Sequence, residues 1–235
     1  SVQDKVIVIT GAAGVLGTSM VHHFAEQGAK VVILDRNEEA GRRLEEEVKA
    51  EGGKVMFLYT DVLDKQVLEG NYTEIMARYG RIDVLINGAG GNMAGATIAP
   101  DKTIFDLDIE AVRKVVDLNL FGIILPTMTF TRAMIEQKQG SIINISSESA
   151  IRPLTRVAGY GVAKAAVTNF TKYMCGELAT KYGDGLRVNA IAPGFFITEQ
   201  NRTLLLNPDG SYTERSKTIL AHTPYGRFGE PSELL

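Results

Sequence analysis

Val6-Ile7-Val8-Ile9-Thr10-Gly11-Ala12-Ala13-Gly14-Val15-Leu16-Gly17 runs from an apolar strand through a glycine-spaced turn into a helical pattern. A short, continuously apolar strand that meets glycines and then a helix start is the opening of a β–α unit covered on both faces. Gly11, Gly14 and Gly17 let the backbone approach a pyrophosphate. Val15 and Leu16 open the helix, whose first turn offers free N–H groups and the positive end of its dipole. The spacing is G-x-x-G-x-x-G, not the G-x-G-x-x-G fingerprint, so the pattern alone also fits a strand–helix turn without a ligand.

The unit recurs along the chain. Further apolar runs stand at Val31–Leu34, Val55–Tyr59, Val84–Ile86, Ser141–Ile145 and Val188–Ile191, with helical spacing between them, as over Glu38–Glu51 and Ala163–Tyr182. Alternating short strands and helices predict an α/β fold: one Rossmann-type, doubly wound parallel sheet spanning residues 1–235 as a single domain. Two stretches break the rhythm. Gly91–Lys102 and Phe195–Arg227 are long connections leaving the carboxyl ends of strands, where open α/β sheets bind ligands. The second, residues 195–227, reads as a substrate lid; a surface insertion is the alternative for both.

Several residues at the strand ends suit a dinucleotide. Asp35 ends the second strand, eighteen residues after Gly17, where an acidic side chain binds ribose hydroxyls and repels a 2′-phosphate. That favours NAD over NADP, although the adjacent Arg36 could pair with the phosphate. Asp61, followed by Val62, ends the third strand and could accept from an adenine amine. Asn87 and the small residues Ala89 and Gly90 follow the fourth strand. Turn formation is the other reading of these positions.

The 235 residues include 45% apolar and 23% charged side chains, ordinary for a globular protein with a substantial core. A net charge of −3 gives no reason to expect nucleic acid or an anionic membrane as partner. The single cysteine, Cys175, lies in a helical pattern and cannot form an internal disulfide, which fits a cytoplasmic, reducing location. No apolar run reaches membrane-spanning length, no secretory signal precedes Val6, and no metal-ligand cluster stands out.

Tyr160 and Lys164 carry the chemistry. Four residues apart on a helix they share a face, roughly 5–6 Å apart at Cβ, so the ammonium can stabilise a phenolate. Tyrosine ordinarily titrates near ~10, so acid–base work at neutral pH calls for a fall of roughly 3 units. Ser147, thirteen residues upstream, can hold a substrate oxygen against the phenol. Taken alone, the pair also fits a surface helix with a solvated lysine.

In order along the chain, Thr10-Gly11 with Gly17, Asp61-Val62, Asn87-x-Ala89-Gly90, Asn119, Ser147, Tyr160-x-x-x-Lys164, and Pro193-Gly194 with Thr198 resemble the short-chain dehydrogenase/reductase family from end to end. The resemblance implies a seven-stranded sheet, a homotetramer or homodimer, and reversible hydride transfer between a nicotinamide and an alcohol or carbonyl. It implies Tyr160 as general acid/base and Lys164 as the group that depresses its pKa and binds the nicotinamide ribose. Ser147 corresponds to the substrate-oxygen donor, Asn119 to the asparagine that anchors a relay water. Pro193, Gly194 and Thr198 correspond to the segment beside the nicotinamide carboxamide. Two departures stand out: Val15 occupies a position where the family has glycine, Gly14 being one place early, and the chain stops at Leu235, inside the helix that precedes the family's last strand.

A closer resemblance runs to sugar-acid members, the D-mannonate oxidoreductases and gluconate 5-dehydrogenases. It rests on 86–92, Arg152-Pro153-Leu154-Thr155 and 192–202. Arg152 and Arg156 lie between Ser147 and Tyr160, and a guanidinium can grip a carboxylate with two parallel hydrogen bonds. Gln200, Asn201 and Arg202, at the start of the lid, can bind hydroxyls, and Asn92 is a further candidate substrate residue. Solvated or subunit-contact roles are the alternative for each. A 3-oxoacyl-carrier-protein reductase is the second enzymatic reading; a nucleotide-sensing protein without catalysis is a third, against which the set Asn119, Ser147, Tyr160 and Lys164 argues.

Overall fold

The apolar runs become six parallel strands in the computed structural model, which describes residues 1–198 and 201–235: β1 (Val6–Thr10), β2 (Lys30–Asp35), β3 (Lys54–Tyr59), β4 (Val84–Asn87), β5 (Gly140–Ile145) and β6 (Leu186–Ile191). Their order across the sheet is β3-β2-β1-β4-β5-β6. Helices α1 (Val15–Glu26), α2 (Glu38–Ala50), α3 (Lys65–Tyr79), α4 (Ile109–Val116), α5 (Gly122–Gln137) and α6 (Ala158–Tyr182) connect them. Two short helices, α7 (Arg202–Leu205) and α8 (Glu214–Ala221), follow β6. The seventh strand implied by the family resemblance is not among the described residues.

Strand side chains alternate between two cores, as the period of two demands. Val6, Val8, Val32 and Leu34 meet Leu68 and Ile75 of α3, Phe130 and Met134 of α5 and Leu178 of α6. Ile7, Ile9, Val31 and Ile33 meet Met20 and Val21 of α1 and Leu44 and Val48 of α2. Where both faces are covered, in β1 to β4, the strands read as near-continuous apolar runs; β6, by contrast, exposes Arg187 and Asn189 on one face.

The helical run Ile109–Gln137 is long and apolar enough to cross a membrane by length and composition, which corrects the expectation from the sequence. Its apolar residues have another use. Ile123, Phe130, Ala133 and Met134 are buried, and Phe130, Ala133 and Met134 form part of the core beneath the sheet.

Strand order reverses between β1 and β4, which pair side by side with Thr10 opposite Asn87. A crevice at such a switch point, outside the carboxyl ends of the strands, is where this topology binds ligands. The glycine turn, Asn87–Gly91, Ser147 and the segment after β6 all leave the sheet at that end.

Candidate active site

The glycine turn is built by close approach. Gly11 has φ +66, and a Cβ there would lie 2.7 Å from the Ala89 Cα; one on Gly17 would lie 2.5 Å from the Gly11 carbonyl oxygen. No larger residue fits either place without movement of backbone. Gly14 is the N-cap of α1. It is exposed, and its carbonyl accepts from Thr18 N at 2.8 Å. The departure at Val15 therefore displaces nothing: Val15 and Leu16 form the first helical turn, which carries no acidic residue and presents its N–H groups at the switch point.

Asp35 ties the second strand to this turn. One carboxylate oxygen accepts from Ala13 N at 2.9 Å and the other from Asn37 N at 2.9 Å. Both oxygens retain lone pairs for further donors. Arg36 is exposed. Asp61 accepts from Leu63 N through one oxygen at 2.9 Å, and the buried Val62 side chain packs against Gly122. Asn87 is fully buried and donates to Thr127 Oγ1 at 2.9 Å and Asn144 Oδ1 at 2.8 Å. Among the described residues its Oδ1 has no hydrogen-bond partner. The Thr10 hydroxyl, unmarked by the sequence reading apart from its place in the motif, accepts from the backbone N–H groups of Gly88 and Ala89 at 3.1 and 3.2 Å.

Asn119 lies in a π-helical turn, Asp117–Phe121, between α4 and α5. Such bulges accumulate at functional sites because they break the regular hydrogen-bond ladder. Its buried amide donates to Gly91 O at 2.6 Å and Val115 O at 2.8 Å, and accepts from Gly91 N at 3.0 Å. Gly90 lies against both the Asn119 amide and the Lys164 ammonium.

Tyr160 and Lys164 occupy the first two turns of α6. The Lys164 Nζ donates to Ile145 O at 2.7 Å and stands 5.6 Å from the centre of the Tyr160 ring. Burial pushes the ammonium pKa down to about 8. The phenol moves the other way from expectation. Burial raises its pKa, against a smaller lowering by the Ser147 hydroxyl. The tyrosine packs on the apolar cluster of Ala96, Ala111 and Val115, and the lysine spends one hydrogen bond on the Ile145 carbonyl. Ser147 is buried and accepts from Ser149 N at 3.2 Å. Neighbouring Ser146 turns to α6, bonding Lys164 O at 3.2 Å and Thr168 Oγ1 at 2.7 Å.

Pro193 O accepts from Glu148 N at 2.9 Å, joining the segment after β6 to the turn after Ser147. Gly194 faces the Glu148 carboxylate, and Thr198 N donates to Asn201 Oδ1 at 2.8 Å.

The expected substrate residues are dispersed. Arg152 is exposed and pairs with Glu148 one helical turn away. Asn201 spends its amide on its own loop, donating to Phe196 O at 2.8 Å. Asn92 donates to Thr97 Oγ1 at 2.7 Å within its loop. Gln200 lies outside the described residues. Arg156, at φ +75, clamps the other irregular loop: its Nε donates to Ile98 O at 2.5 Å and its carbonyl accepts from Ile98 N at 2.9 Å. The sequence reading passed over Arg215 of α8. Its Nη1 reaches Thr155 Oγ1 at 3.4 Å, sixty residues away in sequence, a contact that no local motif announces.

A family model described as short chain dehydrogenase matches residues 5–208. An uncharacterized oxidoreductase, UxuB, of Bacillus subtilis is 42% identical over 239 residues, covering 98% of this chain and 85% of the relative. A 3-oxoacyl-[acyl-carrier-protein] reductase, FabG, of Thermotoga maritima is 34% identical over 232 residues, covering 99% of this chain and 87% of the relative. Among solved structures, a Haemophilus influenza protein provisionally described as a D-mannonate oxidoreductase, with bound NAD, superposes with a TM-score of 0.92 at 40% identity, covering 100% of this chain and 86% of that one. The six-stranded sheet, the glycine turn at its switch point and these matches together mean that the chain belongs to the short-chain dehydrogenase/reductase family of oxidoreductases.

Proposed function

We propose that the chain is an NAD-dependent dehydrogenase acting on a hydroxyl or carbonyl carbon of a sugar acid of the D-mannonate or gluconate type. The observation that carries this is the assembly of Tyr160, Lys164, Ser147 and Asn119 beside the glycine turn. The NAD-bound relative at 40% identity supports both cofactor and substrate class.

The residues present fit a dinucleotide. Gly11, Gly14, Val15, Leu16 and Gly17 would take the pyrophosphate on the turn and helix N-terminus. Asp35 would take the ribose hydroxyls, with its negative charge opposing a 2′-phosphate. Asp61 and the Val62 backbone would take the adenine. Ala89 and Gly90 would lie under the nicotinamide half, with Tyr160 and Lys164 at its ribose. Pro193, Gly194 and Thr198 would lie beside its carboxamide. Among the described residues, the Asn87 Oδ1 is a buried acceptor still open at these strand ends.

Bound there, the nicotinamide supplies the hydride donor or acceptor; the chain handles the proton. Ser147 holds the substrate oxygen against the Tyr160 phenol. In the free chain, burial keeps that phenol protonated, the form that gives a proton to a carbonyl. For oxidation the same group ionises, which the Lys164 ammonium favours. Asn119 fixes Gly91 and the π-helical turn, where a water can pass the proton outward.

Residues 195–227 serve as the lid over the substrate. A homotetramer or homodimer is the expected assembly, supported by exposed Phe121 in the π-helical turn, Met128 on α5, and Val162 and Tyr173 on α6.

The carrier-protein reductase reading draws support from the 34% identical FabG. A panel followed at the NADH absorbance separates the readings. Oxidation of D-mannonate or D-gluconate in preference to the matching polyol is the expected result. Selective reduction of an acetoacetyl thioester assigns the reductase. NAD binding without turnover on any member assigns a sensor.

A further inference from the structure

The structure holds a cavity of about 230 Å³ between the loop that joins Ser147 to Tyr160 and helix α8. Its walls are Leu154 and Thr155 from that loop, Phe195 from the segment directly after Pro193-Gly194, and Arg215, Thr218 and Ile219 from α8. Three apolar side chains and two hydroxyls surround a single guanidinium. Arg156 follows Thr155 in the chain, and its positive charge acts on Arg215, whose partial burial already disfavours the charged form.

Two guanidinium groups at short range repel, and desolvation strengthens the repulsion. Proteins usually offset this with a carboxylate. Among the described residues, Glu148 pairs with Arg152 and Glu214 with Lys217. Among the described residues neither Arg156 nor Arg215 has a carboxylate partner. Their side-chain bonds there go to neutral acceptors, the Ile98 carbonyl and the Thr155 hydroxyl. Among the described residues, the two charges are left without a counter-charge, which an anionic ligand could supply.

We infer that Arg215, with Arg156 beside it, binds the carboxylate of the substrate, so that α8 sets the preference for acids over neutral polyols. The inference rests on the sugar-acid reading and adds to it a residue and a subsite. Planar guanidinium matches carboxylate with paired hydrogen bonds. Thr155 and Thr218 line the same cavity and suit the hydroxyls adjoining an acid. Leu154, Phe195 and Ile219 supply the apolar part of the wall.

The test compares kcat/KM for D-mannonate and D-mannitol, with NAD, in the parent, in Arg215→Met and in Thr218→Glu. Methionine retains the apolar stem without the charge. The Thr218→Glu change puts a carboxylate into the cavity wall, where it competes for Arg215 without removing it. A charge-assisted hydrogen bond implies a fall of about 10- to 150-fold in the acid-to-polyol ratio for each variant. A parent that prefers the acid while both variants keep that preference overturns the Arg215 assignment and leaves the sugar-acid reading standing. A parent that uses acid and polyol equally overturns both. Thermal unfolding midpoints near the parent's establish that a lost preference reflects the site and not the fold.

Discussion

The two halves of the crevice are held by different kinds of contact. On the β1–β4 side, the candidate cofactor residues sit at strand ends, in the turns that follow or in the first turn of α1, and most anchoring bonds join neighbouring strands. Asp35 reaches Ala13 across adjacent strands, and Thr10 fixes Gly88 and Ala89. On the β5–β6 side, irregular segments hold one another. Arg156 grips Ile98 across 58 residues, and Arg215 meets Thr155 across 60. The first half is rigid sheet edge, which suits a ligand common to a family. The second is loop on loop, which can change its side chains without disturbing the sheet and so suits a substrate particular to one member.

Between these halves stands Tyr160, and removing its hydroxyl should give the largest effect. Tyr160→Phe keeps the ring against Ala96, Ala111 and Val115 and deletes proton transfer. General acid–base catalysis is typically worth about 10²–10⁴-fold. We expect at least that loss in kcat, with NADH affinity measured by fluorescence titration close to the parent's. Retained turnover would mean that the proton passes by another route.

Much of this division was already visible in the amino-acid order. All six strands stand where apolar runs predict them: β1 to β4 are near-continuous because both faces are covered, whereas β6 alternates because Arg187 and Asn189 face outward. Helix α6 starts at Ala158, five residues ahead of the Ala163 at which the helical spacing was read. Gly159 and Gly161 weaken the signal there. A Cβ at Gly159 would meet Val112 Cγ1 of α4 at 3.0 Å, a tertiary contact that helix propensity does not report. The raised Tyr160 pKa was illegible because it depends on burial, which spacing does not report. Helices α7 and α8 lie in a polar stretch with little apolar periodicity. Arg152 and Asn201 looked available because their partners, Glu148 and the backbone of their own loop, are a matter of conformation.

A middle-sized effect should come from the cofactor half. Asp35→Ala removes a negative charge from the ribose position and releases the Ala13 and Asn37 N–H groups. One lost charge-assisted hydrogen bond is worth about 1.5–3 kcal/mol. We expect the ratio of kcat/KM for NAD over NADP to fall by about tenfold or more, mostly through weaker NAD binding. A parent that already prefers NADP would break the division, because Arg36 would then set the choice at the same strand end.

The smallest effect should come from Arg152, and it sharpens the comparison most. Sequence position alone ranks Arg152 with Arg156, since both lie between Ser147 and Tyr160. In the structure, Arg152 is exposed and already paired with Glu148 in an i, i+4 contact, whereas Arg215 lines the cavity. Exposed ion pairs of this kind contribute about 0–1 kcal/mol, so Arg152→Met should alter the acid-to-polyol ratio by no more than about fivefold. Its thermal midpoint should stay close to the parent's for the same reason. A collapse of acid preference in Arg152→Met, with Arg215→Met unaffected, would move the carboxylate out of the α8 cavity. It would lie instead beside Glu148 and Gly194, next to the segment after β6. Substrate recognition would then belong to the turn that follows Ser147, and the contrast between a sheet-edge cofactor half and a loop-built substrate half would not hold.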